Sequence, residues 1–99
     1  MLVVSDHSRE LADRCTKLEL AQQWLGATEA QALADLIADL EAFSNADEAI
    51  NFWKATIDGG ALLMIDFSRK HRAILSPIGS APFDWAKVRR LMLVDIVEL

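Results

Sequence analysis

Ninety-nine residues suit one domain that buries somewhat over ~60% of the surface its unfolded form exposes, so a single core is expected across residues 1–99. The apolar residues, 53% of the chain, come in short runs such as Ala61 to Ile65 and Leu91 to Val94, far below the ~18 needed to span a bilayer, so no membrane partner is predicted. Net charge is −5, split as −7 over residues 1–51 and +2 over residues 52–99; this excludes a uniformly basic nucleic-acid footprint and assigns any polyanion to the C-terminal half.

Leu2-Val3-Val4 is short and β-prone, and the spacing predicts a first strand there. The opening residues carry neither a basic leader nor a long apolar stretch, so a cytoplasmic location is expected. From Ser8, apolar residues recur at Leu11, Cys15, Leu18, Ala21 and Leu25, the three-and-four spacing of one helix face. Gly26 ends that helix, since glycine accepts positive φ. Cys15 is the only cysteine and there is no Cys/His cluster, so neither a disulfide, a zinc site nor another cofactor is expected. The second helix is predicted to open on a capping box, Thr28-Glu29-Ala30-Gln31. Its apolar stripe is Leu33, Leu36, Ile37, Leu40 and Phe43, and Glu29, Asp35, Asp39 and Glu41 are expected on an acidic outer face.

After Ser44-Asn45-Ala46-Asp47 the period changes from about 3.6 to about 2, the mark of a passage from helices to strands. Trp53, Ala55 and Ile57 alternate with Lys54 and Thr56 as a strand. Asp58-Gly59-Gly60 is a tight-turn signal, with Ala61 to Phe67 as the returning strand. Ser68 to His71 reads as a polar turn, Arg72 to Ser76 as a third strand closed by Pro77, and Ile78 to Pro82 as a loop. Phe83-Asp84-Trp85 leads into a last strand, Leu91 to Glu98, whose Leu91-Met92-Leu93-Val94 run predicts burial on both faces, in the middle of the sheet. The expected class is α+β: a short N-terminal strand and two helices packed on an antiparallel sheet of about four strands.

The stretch Arg72-Ala73-Ile74-Leu75-Ser76-Pro77, then Phe83-Asp84-Trp85-Ala86-Lys87-Val88, then Leu91-Met92-Leu93-Val94-Asp95-Ile96-Val97-Glu98 resembles the HigB-type plasmid-maintenance killer proteins of the RelE/ParE toxin superfamily. Members show an aromatic-Arg-aliphatic strand ending in Pro, a hydrophobe-Asp-Trp-polar-polar-Val segment, and an aliphatic strand ending in acid-Ile-x-acid-Tyr-His. The resemblance implies a RelE-like fold and a toxin component of a type II toxin–antitoxin system. It also implies a cognate antitoxin as partner, a small helix-turn-helix protein, and metal-independent cleavage of mRNA on the ribosome. That reaction requires a base, an acid and cations on the phosphate as the ribose 2′-OH attacks.

Arg72 coincides with the family's strand arginine, where a guanidinium holds a phosphate through paired hydrogen bonds; a pairing with Asp66 or Glu98 on the sheet surface is the other reading. His71, in the place of the family's aromatic residue, is a candidate proton carrier, and His7, before the first helix, is a second. Arg69, Lys70, Lys54, Arg89 and Arg90 are candidate RNA contacts, with Arg69 to Arg72, Lys87, Arg89 and Arg90 expected to form one patch or to be separately solvated. The pattern has defects. Thr56 stands at the usual lysine, Trp53 at the usual histidine, and Leu99 at the usual tyrosine, while Lys54 is one register off. A non-catalytic module of the same fold that binds an antitoxin-like partner, and a ParE-like gyrase inhibitor, therefore stay open beside the endoribonuclease.

Overall fold

The computed structural model describes residues 2–6, 11–13, 17–59, 61–79 and 84–99. Strand β1 (Val3–Asp6) is followed by helical residues 11–13 and by helix α1 (Leu18–Leu25). Helices α2 (Ala27–Ala42) and α3 (Ala46–Trp53) come next, then strands β2 (Thr56–Asp58), β3 (Leu62–Asp66), β4 (His71–Pro77) and β5 (Arg90–Glu98). Ser8, Cys15, Gly60, residues 80–82 and Phe83 lie outside the described residues, as does the side chain of Leu18.

Gly26 joins α1 to α2 at φ 88° and ψ 160°, a region open essentially to glycine alone. The expected capping box does not form. Gly26 itself occupies the N-cap position of α2, so Thr28 already lies inside the helix, and Gln31 donates to Asp35 instead, at 2.9 Å. Leu33, Leu36 and Leu40 are buried, with Ile37 and Phe43 packed at the margin of the core.

The stretch read as a continuation toward strand is a further helix, α3. Asn45 caps it, accepting from the Glu48 N–H at 3.1 Å, and Asp47 and Glu48 sit in its first turn, where acidic groups complement the helix dipole. Ala46, Ala49, Ile50 and Trp53 face the core. Trp53 is therefore helical, and Lys54 caps the C-terminus in the left-handed conformation, φ 53°. The strand starts only at Thr56.

Five strands form one mixed sheet in the order β1-β5-β4-β3-β2. β1 runs parallel to β5, and the other three pairings are antiparallel. The sheet thus has one strand more than expected and is not purely antiparallel. The β2–β3 hairpin turns through Gly59 at φ 59°, and β5 lies inside the sheet, between β1 and β4. Its pairing with β4 shifts between Ile74, opposite Asp95, and Leu75, opposite Leu93. Val94 is therefore the extra residue of a β-bulge. A regular strand would aim Asp95 inward with Leu91 and Leu93. The bulge sends Ile96 inward with them and leaves Asp95 exposed.

One cluster of buried side chains lies between the sheet and the helices. Leu63, Ile65, Ala73, Leu75, Leu91, Leu93 and Ile96 supply the sheet side, and Leu33, Leu36, Leu40, Ala46 and Ala49 the helical side. The second face of β5 is only half-buried at Met92 and Val97. Burial on both faces, as the Leu-Met-Leu-Val run predicted, is not what these strands achieve.

Candidate functional site

Two features adjoin the residues singled out by sequence. The first is the sheet face turned away from the helices. Register places Thr56, Met64, Ile74 and Asp95 in one cross-strand row, with Asp66, Arg72 and Val97 in the row beside it. Asp58 lies opposite Leu62, and Met92 pairs with both Ser5 and Ser76. Leu62, Met64, Ile74, Met92 and Val97 are half-buried, and none belongs to the core cluster or its margin. Among the described residues no helix covers them. An antiparallel sheet with one solvated face ordinarily alternates apolar with polar residues, whereas here the open face interleaves apolar residues with polar ones. The acidic residues Asp58 and Asp95 stand exposed on the same face.

Arg72 projects from this face, but its fork is engaged. Nε donates to Asp66 Oδ1 at 2.6 Å and Nη2 to Asp66 Oδ2 at 3.3 Å, while Nη1 lies 3.9 Å from Met64 Sδ. The pair sits directly across β3 and β4. Arg72 holds the Asp66 carboxyl below the usual carboxylate range by hydrogen bonding and charge, and Asp66 raises the guanidinium in return. The carboxylate-paired reading of Arg72 is the arrangement present.

The second feature is the end of the sheet where the β3–β4 turn meets the end of β5. His71 is 8% exposed, and its Nδ1 lies 2.6 Å from Glu29 Oε1. Ser68 Oγ donates to the same Glu29 oxygen. It also accepts the backbone N–H groups of Lys70 and His71, each at 3.1 Å. Phe67 stacks on the imidazole at 6.2 Å between centroids. The hydrogen bond from Ser68, then that from His71, hold the Glu29 carboxyl below its ordinary value against its partial desolvation, with Lys70 adding charge. An ionised carboxylate only accepts, so Nδ1 carries a proton in this pair.

Arg69, Lys70, His71, Glu98 and Leu99 line a cleft of about 280 Å³ at this end. Leu99 is tied there by its N–H to the Lys70 carbonyl at 2.8 Å.

The remaining candidates are dispersed. Arg90 pairs with Val3 at the start of β5, whereas Glu98, at its other end, pairs with His71. Eight residue steps at ~3.3 Å separate them, about 26 Å, so Arg89, Arg90 and Lys87 form no single patch with Arg69 to Arg72. Arg89 is instead fixed to the Ser44 carbonyl at 3.1 Å. Lys54 is exposed at the helix cap rather than on a strand, because its left-handed backbone ends α3. His7 lies outside the described residues.

Glu29 and Ser68 were missed as site residues. Glu29 was expected on the acidic outer face, yet it precedes Leu33, Leu36 and Leu40 by four, seven and eleven positions. That spacing sets it on the core-facing stripe of α2, the signal that could have located it. No group of three or more metal-ligating side chains occurs among the described residues, and no helix among them is long and apolar enough to cross a membrane. No family model, curated protein or solved structure matches the chain.

Proposed function

We propose that this chain is the non-catalytic form of a RelE-like toxin module, which acts by binding an antitoxin-like helix-turn-helix partner through its open sheet face. The carrying observation is the apolar face formed by Leu62, Met64, Ile74, Met92 and Val97, which no described helix covers. Half-buried apolar residues gathered on an uncovered sheet face are suited to an interaction partner. Met64 and Met92 add adaptable side chains suited to a helix surface. The exposed carboxylates of Asp58 and Asp95 favour a partner helix whose apolar stripe is flanked by Lys or Arg. The α+β arrangement, with one N-terminal strand, helices and an antiparallel run from β2 to β5, is compatible with the RelE-like expectation.

The proton-transfer set argues in the same direction. Thr56 and Leu99 provide neither a cation nor a phenol, and Arg72 is spent on Asp66.

The test is co-expression with a helix-turn-helix protein encoded beside this chain. Complex formation is expected for the parent and for Leu75→Val, and loss of the complex for Ile74→Lys and Met92→Lys with the fold retained. Undiminished binding by both lysine variants sinks the proposal. Induction of the chain alone separates the catalytic reading: unchanged growth and intact mRNA support a binding module, whereas mRNA cleavage relieved by Arg72→Ala supports the nuclease.

A further inference from the structure

We infer that Met64, on the open sheet face, is a peroxide-sensitive modification site, at which the Arg72 guanidinium directs oxygen onto the thioether sulfur and then holds the sulfoxide formed. The modification does not depend on the partner proposed for that face.

The Arg72 fork is used unevenly. Nε and Nη2 are taken by the Asp66 carboxylate, whereas Nη1 meets no oxygen among the described residues and lies 3.9 Å from Met64 Sδ. Register explains the contact. Asp66 lies opposite Arg72 and Met64 opposite Ile74, so Met64 and Arg72 are diagonal neighbours on one face, within reach of long side chains. The paired hydrogen bonds to Asp66 fix the guanidinium plane, and with it the side of the sulfur that Nη1 approaches. Met92, also on this face, is placed differently. Its cross-strand neighbours are Ser5 and Ser76, and no donor reaches its sulfur among the described residues.

Both methionines are half-buried on a face that no described helix covers. Thr56, opposite Met64, is exposed, and the Arg72 side chain is 35% exposed. Hydrogen peroxide, little larger than water, has its approach to the Met64 sulfur from that side.

A thioether is oxidised when a sulfur lone pair forms a bond to one peroxide oxygen and the O–O bond breaks. Sulfur is oxidised to the sulfoxide and the peroxide is reduced. The departing oxygen takes the proton of the transferred oxygen and leaves as water. Negative charge gathers on the departing oxygen before that proton arrives, and a permanently charged guanidinium beside the sulfur stabilises it. Nη1 then donates to the sulfoxide oxygen, a far stronger acceptor than the thioether. Arg72 keeps its proton throughout. The product sets a polar group between Thr56 and Ile74 in place of an apolar one, which makes the face a poorer match for an apolar partner surface. That consequence rests on the partner reading, whereas the experiment reads the modification alone.

The experiment treats the full chain with hydrogen peroxide under native conditions and follows Met64 and Met92 by peptide mass spectrometry. Met64 is expected to oxidise at least about threefold faster than Met92. Arg72→Gln, which keeps most of the bulk, and Arg72→Ala, which opens access, are both expected to slow Met64 by about threefold or more while Met92 is unchanged. The sulfoxide epimer gives a second readout. Two methionine sulfoxide reductases each reduce one epimer, so digested Met64 sulfoxide from the parent is expected to be repaired mainly by one of them, and that from Arg72→Ala by both. Equal rates at Met64 and Met92, or undiminished Met64 oxidation in the Arg72 variants, as access alone would give, overturns the inference. Equal repair of the parent's Met64 sulfoxide by both enzymes does so too.

Discussion

Ile74 and Leu75 are consecutive residues of β4 that face opposite ways, and truncating each to alanine measures whether the open sheet face is truly uncovered. Leu75 is 1% exposed within the core cluster, so its truncation removes buried methyl groups and leaves a cavity, at about 3 kcal/mol within the usual range of ~2–5. Ile74 is half-buried on the other face. Its truncation removes about three carbons, each worth ~0.8 kcal/mol at full burial and roughly half that here, with no enclosed cavity, giving about 1 kcal/mol. For a domain of this size a urea slope of about 1.2 kcal/mol/M converts these values to midpoint shifts of roughly 2.5 M for Leu75→Ala and under about 1 M for Ile74→Ala. Urea denaturation followed by tryptophan fluorescence, using Trp24, Trp53 and Trp85, reads both. Equal shifts would mean that Ile74 is packed as tightly as Leu75, and the open face would lose its standing as a binding surface.

Backbone and charge give four further tests. Gly26→Ala is expected to cost about 1–2 kcal/mol although nothing lies within 4 Å of the added Cβ, because φ 88° with ψ 160° is hostile to any side chain; Lys54→Gly, at φ 53°, is expected to stabilise by about 0.5–1 kcal/mol, and thermal melts read both signs. Glu29 and Asp66 are lowered from 4.5 and 3.8, so each binds its proton less readily when folded. Their stabilisation is complete above those values and fades as pH falls through the folded-state pKa, and Glu29→Gln is expected to flatten stability below about pH 4.5, as measured by urea midpoints across acid pH. Asp6 has the opposite sign: burial raises it above 3.8, so its favourable share is present in acid and is lost as pH rises through the folded value. Asp6→Asn is therefore expected to stabilise at neutral pH and to have little effect in acid, and the same midpoints at both pH values check it.

The chain's local chemistry was legible wherever a signal is confined to neighbouring residues. The stripe Leu33, Leu36 and Leu40 named the buried side of α2, Gly26 the end of α1, Asp58-Gly59 the hairpin, and the apolar runs the strands β3 to β5. Helix α3 was equally local in principle: Asn45 with Asp47 and Glu48 is a capping signal, and it was obscured by Trp53, Ala55 and Ile57 alternating as a strand would. The Arg72–Asp66 alternative could be raised because the two flank a short turn.

What tertiary structure alone decided depends on pairings distant in sequence. The parallel docking of β1 on β5, the bulge at Val94 that exchanges Asp95 for Ile96 in the core, and the 42-residue separation bridged by Glu29 and His71 are set by register and layer packing. No window of ten or fifteen residues contains them. The Leu91 to Val94 run predicted burial on both faces, and the structure buries Leu91 and Leu93 but leaves Met92 only half-buried on the other face. Only the assembled layers determine that the helices cover one of the two faces, because a strand's sequence carries its preference for burial but not the identity of what will bury it.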